Sequence, residues 1–367
     1  MRNKATDIVS VVTRLLLGLT FLFSGIVKAI DPLGTTYKIE DYLKAFGGFF
    51  TELLPLAEPA AFALITVECL LGICLVCNIR IRLVAWLSLL FYLVMTPLTL
   101  YLALKNPVSD CGCFGDAVVL TNWQTFGKNV VLLTLVIVLF VCKRAWHQTF
   151  IWQVELGIVL LMTGASLGWM FYTLNHLPVL DFRPYKIGNN IVELMEYPED
   201  AEEDQYDITF VYEKDGVEEE FTLQNYPKND STWTFVRQNS KLIKKGYEPP
   251  IHDFEILTEE YEDITYDILE SEEPVTLAIL YDLNKTNLKQ AERLNALYEQ
   301  CLMEGKAFYA VTGSGTDDQI AYRLQTNADY PICTCDPVTL KTIVRANPGI
   351  IVVQNGIVID KYNMRQR

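Results

Sequence analysis

The sequence has few histidines and a deficit of basic residues, and both shortages exclude classes of function. Its 367 residues include three His, and 30 Lys/Arg stand against 45 Asp/Glu for a formal net charge of −15. This charge argues against a nucleic-acid partner, because Lys and Arg must neutralise the phosphates. No metal site is expected, because zinc takes four ligands and no His is clustered with the cysteines.

Charged residues are also scarce in the first half of the chain. Through residue 180 there are 12 Lys/Arg and 10 Asp/Glu, whereas residues 181–367 contain 18 and 35. The whole chain is 51% hydrophobic, with a mean hydropathy of +0.20. We therefore expect a membrane-embedded first half and a water-soluble second half whose acidic excess is a solvated surface.

Long apolar runs predict a bundle of about five transmembrane helices in a lipid bilayer. A helix crosses the hydrocarbon core with about 20 apolar residues, and its backbone polar groups must be satisfied within it. The first run is too long for a signal peptide and no small-residue cleavage site follows it, so we interpret it as an anchor. The runs are Ile8–Ile30, Pro59–Cys77, Leu83–Leu104, Val130–Cys142, which is the shortest, and Phe150–Leu174.

Basic residues in the short loops predict the orientation of the bundle. They fall in segments 2–4, 80–82 and 143–144. All three lie in the cytoplasm if the N-terminus is inside, as the positive-inside rule requires. Five crossings then place residues 105–125 and the acidic half outside. This predicts a bacterial inner-membrane protein with a periplasmic C-terminal domain.

Two ionisable residues fall within the predicted spans, Arg14 in the first and Glu68 in the second. Charges in a membrane are costly and are usually paired. The two helices are antiparallel neighbours, and a rise of about 1.5 Å per residue puts both side chains at broadly similar depths. We predict an Arg14–Glu68 pair, either as a structural pin or in a proton or substrate role.

Two cysteines separated by one glycine form the sharpest motif. Cys111 and Cys113 lie in Ser109-Asp-Cys-Gly-Cys-Phe-Gly-Asp116, in the predicted outer loop. A disulfide between them closes a very small ring, and departure from relaxed geometry makes a disulfide easier to reduce. Labile disulfides tend to be catalytic or regulatory. We predict a redox pair; the alternatives are two structural staples to different partners, or metal binding.

The other cysteines give weaker signals. Cys74 and Cys77 form a CxxC on a predicted membrane helix, where cysteine commonly behaves as a small hydrophobe. Cys333 and Cys335 fall on one face of a predicted strand, about 6–7 Å apart and at the edge of disulfide reach. They are either further redox residues or two buried strand cysteines. We interpret Cys301, on a predicted helix, as a core residue.

The second half has an α/β order. It includes a predicted hairpin at 205–225, strands at 275–281 and 307–312, helices at 288–304, 316–325 and 338–345, an extended segment at 330–335, and a final hairpin over 350–362.

From about residue 245 this order resembles a thioredoxin-like domain of the redoxin type. The entry segment Gly246–Phe254 is similar to that family's, and Pro348 stands where the fold places its cis-proline. The family's CxxC belongs near residues 284–287, where no cysteine occurs. The resemblance therefore implies an extracytoplasmic thioredoxin-like domain that lacks the usual nucleophile.

The membrane half resembles the DoxX/MauE family. The resemblance rests on the segment Arg14–Lys28 followed by Asp31-Pro32, and on Cys111-Gly-Cys-Phe-Gly115 with Lys128-Asn129 after it. It implies a role like that of MauE in methylamine utilisation, beside a thioredoxin-like protein and in the maturation of a disulfide-rich enzyme subunit. DoxX relatives are tied to quinone-linked sulfur oxidation, so the resemblance also implies quinone as a possible cofactor.

These observations predict four regions and two main functions. The regions are 1–145, a four-helix membrane domain; 146–182, a fifth membrane helix and exit segment; 183–244, a small β-rich region that is either a separate domain or an insertion in the thioredoxin-like fold; and 245–367, the thioredoxin-like domain.

The first function is a membrane-bound thiol–disulfide relay in which Cys111 and Cys113 exchange with periplasmic protein thiols. Electrons would then cross by a quinone or through Cys69, Cys74 and Cys77. The alternative is a non-enzymatic assembly or chaperone factor whose outer domain binds a client protein. A transporter is disfavoured by the few intramembrane polar groups.

Overall fold

Five helices in the first half are long and apolar enough to cross a membrane. They lie in a computed structural model that describes residues 4–108, 110–143, 146, 149–198, 200–202, 204–228, 230–244 and 246–365. All five predicted spans are confirmed. The helices, with one short helix between the first two spans, are α1 Lys4–Ile30, α2 Pro32–Phe46, α3 Ala57–Cys77, α4 Ile81–Lys105, α5 Asn122–Val141 and α6 Trp152–Asn175. A 3-10 helix, Gly48–Leu56, precedes α3.

Helix α5 begins eight residues before the apolar run that predicted it, at Asn122 rather than Val130. The start is set by a capping box: the Gln124 amide N–H donates to the Thr121 hydroxyl, and the Gln124 side chain accepts from the Thr121 N–H. Such a box satisfies two of the free N–H groups of a helix end. The polar first turn of α5 therefore continues the span towards the cysteine loop.

Glycines hold α1 and α3 close together. A Cβ on Gly72 would lie 2.7 Å from the Leu22 backbone nitrogen, and a Cβ on Gly25 would lie 2.7 Å from the Cys69 sulfur. Small residues allow such close helix approach in membranes. The packing fixes an antiparallel register in which the start of α1 lies beside the end of α3.

The predicted Arg14–Glu68 pair is wrong. In this register the Arg14 guanidinium lies near the end of α3 and donates to the Val76 carbonyl over 3.3 Å. Glu68 instead pairs with Lys28, with 2.6 Å between Nζ and Oε1. Arg14 is about 20 Å from Lys28 along α1 at about 1.5 Å per residue, so it cannot reach the same carboxylate.

We expect Gly72→Ala to destabilise the bundle by about 1–3 kcal/mol, the usual cost of overpacking a tight interior. The added methyl group meets backbone atoms, which cannot rotate away as a side chain can. The matched control is Gly164→Ala in the membrane helix α6, where a Cβ has no neighbour within 4 Å. Thermal unfolding in detergent measures both. Equal unfolding temperatures for the two variants would show that the α1–α3 contact does not limit stability.

The second half is a mixed α/β region with two sheets. Its strands are β1 Gln205–Lys214, β2 Val217–Thr222, β3 Thr234–Lys244, β4 Val275–Leu280, β5 Phe308–Thr312, β6 Ile332–Thr334, β7 Gly349–Gln354 and β8 Ile357–Asn363. Its helices are α7 Ile191–Met195, α8 Thr265–Leu269, α9 Leu288–Met303, α10 Thr316–Thr326 and α11 Pro337–Ile343.

The larger sheet has the strand order β6-β5-β4-β7-β8. Strands β4, β5 and β6 are parallel, and β7 and β8 run antiparallel to their neighbours. Side chains alternate between two hydrophobic clusters: Ile351 belongs to one and Ile350 to the other. The sheet is therefore covered on both faces, as its continuous apolar strands require. The Asn347–Pro348 peptide bond before β7 is cis, as predicted for Pro348.

The smaller sheet, in the order β2-β1-β3, is inserted into the α/β domain rather than preceding it. Tyr185 and Ile191 already belong to the core of the larger sheet, and the Ile191 N–H donates to the Gly356 carbonyl over 2.7 Å. After the insertion the Ile251 N–H donates back to the Leu194 carbonyl. The predicted boundary at residue 183 is therefore wrong, because the segment around Tyr185 and α7 packs with the later domain.

Candidate functional site

The loop between α4 and α5 is fixed by side chains of α1 and α2. The Tyr42 hydroxyl donates to the Cys111 carbonyl over 2.6 Å, and the Ser24 hydroxyl lies 2.7 Å from the Cys113 carbonyl oxygen. Lys38 pairs with Asp110 over 2.6 Å. Gly112 has φ +62°, a conformation that glycine adopts at no steric cost. The loop is therefore held at both cysteines.

This turn brings the two sulfurs together. The Sγ atoms of Cys111 and Cys113 lie 3.0 Å apart, and both residues are half-buried thiols. The sequence places both cysteines in one short motif, and their role as a redox pair stays a prediction. At this separation the two sulfurs can form a disulfide without a large movement of the loop.

The two thiols are electrostatically unequal. The hydrogen bond with Cys111, together with the charges of Lys128 and Lys28, lowers the pKa of Cys113 to about 6 against the effect of burial. The same hydrogen bond, together with burial, raises the pKa of Cys111. The thiolate is the reactive form of cysteine. Cys113 is therefore the more readily ionised thiol of the pair.

A buried ion pair lies directly below the loop. Lys28 and Glu68 are both less than 10% exposed. The Ser24 oxygen accepts from the Lys28 ammonium over 3.1 Å and lies 2.9 Å from Glu68 Oε2. Since Ser24 also reaches the Cys113 carbonyl, this Lys28–Ser24–Glu68 cluster joins the ion pair to the cysteine loop.

A cavity of about 300 Å³ opens beside these groups. Cys111 and Cys113 form part of its wall, and the Lys28–Ser24–Glu68 cluster forms another part. The rest of the wall is mainly apolar. Its apolar residues are Phe21, Ile39, Ala60, Leu64, Phe91, Met95, Leu98 and Phe114, and its other polar residues include Tyr42, Tyr92, Lys128 and Asn129.

The α/β domain docks at the same end of the bundle. The Arg345 guanidinium is 7% exposed and contacts Asp31 over 2.8 Å and Asp116 over 3.3 Å. It also lies over the Tyr37 ring, whose hydroxyl donates to that of Tyr281 over 3.4 Å. Burial opposes the charge of Asp31, but the charges of Arg345 and Arg183 and the hydrogen bonds from Arg345 and the Gly34 N–H together outweigh burial, so the pKa of Asp31 is below its usual value. Helix α2 thus contacts the domain on one side and the cysteine loop on the other.

The remaining predicted cysteines are not part of this site. Cys333 and Cys335 lie in the core of the α/β domain, where burial raises their pKa values to about 11 and about 12. Cys74 is buried in the bundle and Cys77 is half-buried near the same end of α3. The structure therefore separates them from the Cys111–Cys113 pair.

Several residues of the site are absent from the predictions. Lys28 is visible in the sequence as a charge near the end of an apolar run, but the reach of its side chain to Glu68 depends on the register of α1 and α3. Tyr42 lies in a polar segment with no motif. Arg345 is separated from Asp31 by 314 positions, and no local pattern marks such a contact.

Comparison with known families places the site within one recognised region. Residues 6–142 match the family described as Methylamine utilisation protein MauE. The chain is therefore similar to this family over its first four spans. The matched region contains the cysteine pair, the Lys28–Ser24–Glu68 cluster and the cavity, whereas α6 and the α/β domain lie beyond it.

Within the α/β domain, residues 206–245 match a domain of unknown function, DUF8463. This match coincides with the inserted sheet β1–β3. Searches of curated proteins and of solved structures gave no match.

Proposed function

We propose that this protein is a membrane thiol–disulfide oxidoreductase in which Cys111 and Cys113 alternate between a disulfide and a dithiol. The observation that carries the proposal is the 3.0 Å contact between two half-buried sulfurs, one of which has a lowered pKa. A structural cysteine in apolar surroundings has a raised pKa and is inert. Cys113 departs from that pattern, while Cys333 and Cys335 follow it.

The unequal thiols give the exchange a direction of attack. A client thiolate attacks Cys111 of the disulfide, the Cys111–Cys113 bond breaks, and Cys113 leaves as a thiolate, because a thiol of lower pKa is the better leaving group. The second client thiolate then attacks the client sulfur of the mixed disulfide and releases Cys111. The client loses two electrons and two protons, and the Cys111–Cys113 disulfide becomes a dithiol.

The α/β domain supports the same function without a nucleophile of its own. We infer that it is a thioredoxin-like domain, on the basis of its strand order and of Pro348 before β7. The segment after β4, where a CxxC would stand, is Asp282–Asn287 and contains no cysteine. Tyr281, just before it, contacts α2. The domain therefore covers the membrane site, and we propose that it positions a client protein there.

The similarity to MauE suggests the biological role and the cellular compartment of the proposed activity. A MauE-family region implies a role in methylamine utilisation and in the redox maturation of a partner. We propose that the cysteine loop and the α/β domain lie on the periplasmic side of a bacterial inner membrane, with the N-terminus in the cytoplasm. The basic segments 80–82 and 143–144 favour this orientation. The client is then a periplasmic protein that needs disulfides.

The redox state of Cys111 and Cys113 in intact cells tests the proposal. A full-length variant retains only these two cysteines, and a thiol-reactive mass tag that cannot cross the inner membrane is added with and without mild reductant. We expect tagging only after reduction, because the two sulfurs of a disulfide offer no free thiol to the tag. The control is the same variant with both cysteines changed to Ser. Absence of tagging even under strong reductant would mean that the loop is buried or lies on the cytoplasmic side, and it would contradict a thiol pair that is accessible from the periplasm.

A non-enzymatic assembly factor is the second candidate. It is favoured by the missing cysteine at Asp282–Asn287 and by the buried state of Cys333 and Cys335. In that case the chain would mature its client normally with Cys111 and Cys113 both changed to Ser. Loss of client disulfides in that variant, with the protein still folded in the membrane, favours the oxidoreductase.

A further inference from the structure

The cavity beside Cys111 and Cys113 lies within reach of any polypeptide that exchanges with them. In a disulfide the two Cα atoms are about 4.4–6.8 Å apart, and the next Cα along the chain follows at about 3.8 Å. While a mixed disulfide exists, the residue next to the client cysteine therefore lies within about 10 Å of the Cys111 Cα. Since Cys111 forms part of the cavity wall, the side chain of that client residue can enter the cavity.

The cavity extends from the outer surface of the bundle into its interior. At its outer end it is lined by Lys38, Ile39 and Tyr42 of α2, which are half-buried and belong to a helix outside the five candidate spans. At its inner end it is lined by Phe21 and Tyr92, which are 2% and 3% exposed. A side chain that enters past α2 and the cysteine loop is therefore removed from water.

The size and the walls of the cavity suit one large apolar side chain. A cavity of about 150 Å³ with apolar walls holds a benzene ring. The cavity here has about 300 Å³ and mainly apolar walls, so it accommodates a phenylalanine or leucine side chain. Burial of such a side chain removes apolar surface from water, which favours binding.

The charges of the wall disfavour a basic side chain in the same place. Three lysines line the cavity: Lys28, Lys38 and Lys128. Glu68 pairs with Lys28, and Asp110 pairs with Lys38. Lys128 lies over an aromatic ring and forms no salt bridge with a carboxylate in the part of the chain that the structure describes. A client Lys or Arg would therefore meet excess positive charge in the oxidised protein, which has no thiolate at this site, and like charges brought together oppose binding.

We propose that the cavity is a specificity pocket that receives a large apolar side chain of the client, next to the cysteine that bonds to Cys111. The inference rests on the proposed thiol–disulfide function and deepens it by naming a class of client. That class is a polypeptide in which Phe, Leu or another large apolar residue adjoins the reactive cysteine. Polypeptides with Lys or Arg at this position exchange more slowly.

The oxidation of short peptides tests the pocket. The full-length protein is oxidised chemically in phosphatidylcholine nanodiscs and mixed with reduced dithiol peptides. The peptides differ only in the residue before the first cysteine, which is Phe, Ser or Lys. We expect the Phe peptide to be oxidised at least about tenfold faster than the Ser peptide, and the Lys peptide to be the slowest. Reaction of the same peptides with oxidised glutathione in solution controls for their intrinsic thiol reactivity.

Variants that fill the cavity locate the pocket. Leu64→Trp should abolish most of the preference for the Phe peptide over the Ser peptide, because Leu64 lines the cavity. Val67→Trp on the same helix, at a position 43% exposed, should keep the wild-type preference. Met95→Trp provides a second cavity variant, from α4, if Leu64→Trp does not fold. An unchanged preference in both cavity variants would overturn the assignment, because the discrimination would then arise elsewhere.

The two proposals fail separately. Equal rates for the three peptides with the wild-type protein would overturn the pocket and leave the thiol–disulfide function standing. A lipid that fills the cavity permanently would give this result. No oxidation of any peptide, with the Cys111–Cys113 disulfide shown to be present by mass spectrometry, would overturn the thiol–disulfide function on which the pocket rests.

Discussion

Changing Cys113 to serine is expected to abolish client oxidation and to trap the client on Cys111. Serine cannot form the disulfide, so the variant has no oxidising form and no leaving thiolate. The remaining Cys111 can still attack a client disulfide, but nothing resolves the product. Activity should fall to that of the variant in which both cysteines are serine. Non-reducing electrophoresis of membranes should show an adduct that disappears on reduction.

The converse variant gives the matched control. Cys111→Ser retains Cys113, the thiolate of the pair, without the sulfur that a client attacks. It should also be inactive, and its adducts should be attached to Cys113 instead. A variant of a buried cysteine outside the site, Cys301→Ser, should retain activity, because Cys301 packs in the α/β core. Full activity of Cys113→Ser would contradict the proposed redox pair.

The pH dependence of alkylation separates the two thiols. In the reduced protein the rate of Cys113 modification by iodoacetamide should rise with pH and reach half its maximum near pH 6, because its lowered pKa keeps the thiolate present above that pH. An ordinary thiol reaches this point near pH 8.5. The pH at half-maximal rate reports the pKa of Cys113. The absolute rate does not, because the nucleophilicity of a thiolate falls as its pKa falls.

Two substitutions show the cause of the lowered pKa. Cys111→Ala removes the hydrogen bond that is its largest cause, so the midpoint should move to higher pH. Lys128→Met removes a smaller electrostatic contribution and should move it in the same direction by less. An unchanged midpoint in Cys111→Ala would mean that Cys113 is not activated by its neighbour.

The sequence predicts the parts of this molecule that depend on local pattern. The five spans follow from the length of apolar runs, and the hairpin β1–β2 follows from the turn at Asp215-Gly216. The Cys111–Cys113 contact follows from a spacing that leaves the sulfurs little freedom. Strand β3 is not evident because its charged and polar residues do not alternate regularly with apolar ones.

Contacts between distant segments could not be predicted from the same patterns. The depth of Glu68 relative to Arg14 depends on how closely α1 and α3 approach, and Gly25 and Gly72 set that approach. The apolar residues of α1 and α3 are equally well buried in many relative positions of the two helices. Hydropathy therefore does not indicate which position the two helices adopt. The charge partners of Glu68 and Arg345 are determined by packing alone, and these contacts complete the candidate site.

Changing Arg345 to methionine is expected to release the α/β domain from the membrane region. The guanidinium is buried between Asp31 and Asp116, and removal of one partner of a buried ion pair costs about 3–5 kcal/mol because the remaining charge stays unpaired. Methionine retains the apolar stem over the Tyr37 ring but supplies no charge. Hydrogen–deuterium exchange of α2 should rise, and proteases should cut the exit segment 176–182 more readily.

Release of the domain should also affect the redox site, because α2 joins the two. One side of α2 contacts Arg345 and Tyr281, and the other holds the cysteine loop through Lys38 and Tyr42. The reduced Arg345→Met protein should therefore be alkylated faster at Cys113 than the wild type at the same pH. The control is Arg237→Met, which breaks an exposed pair with Glu218 that is worth at most about 1 kcal/mol. Faster exchange in α2 with unchanged alkylation would mean that the domain docks on the membrane region without governing access to the thiols.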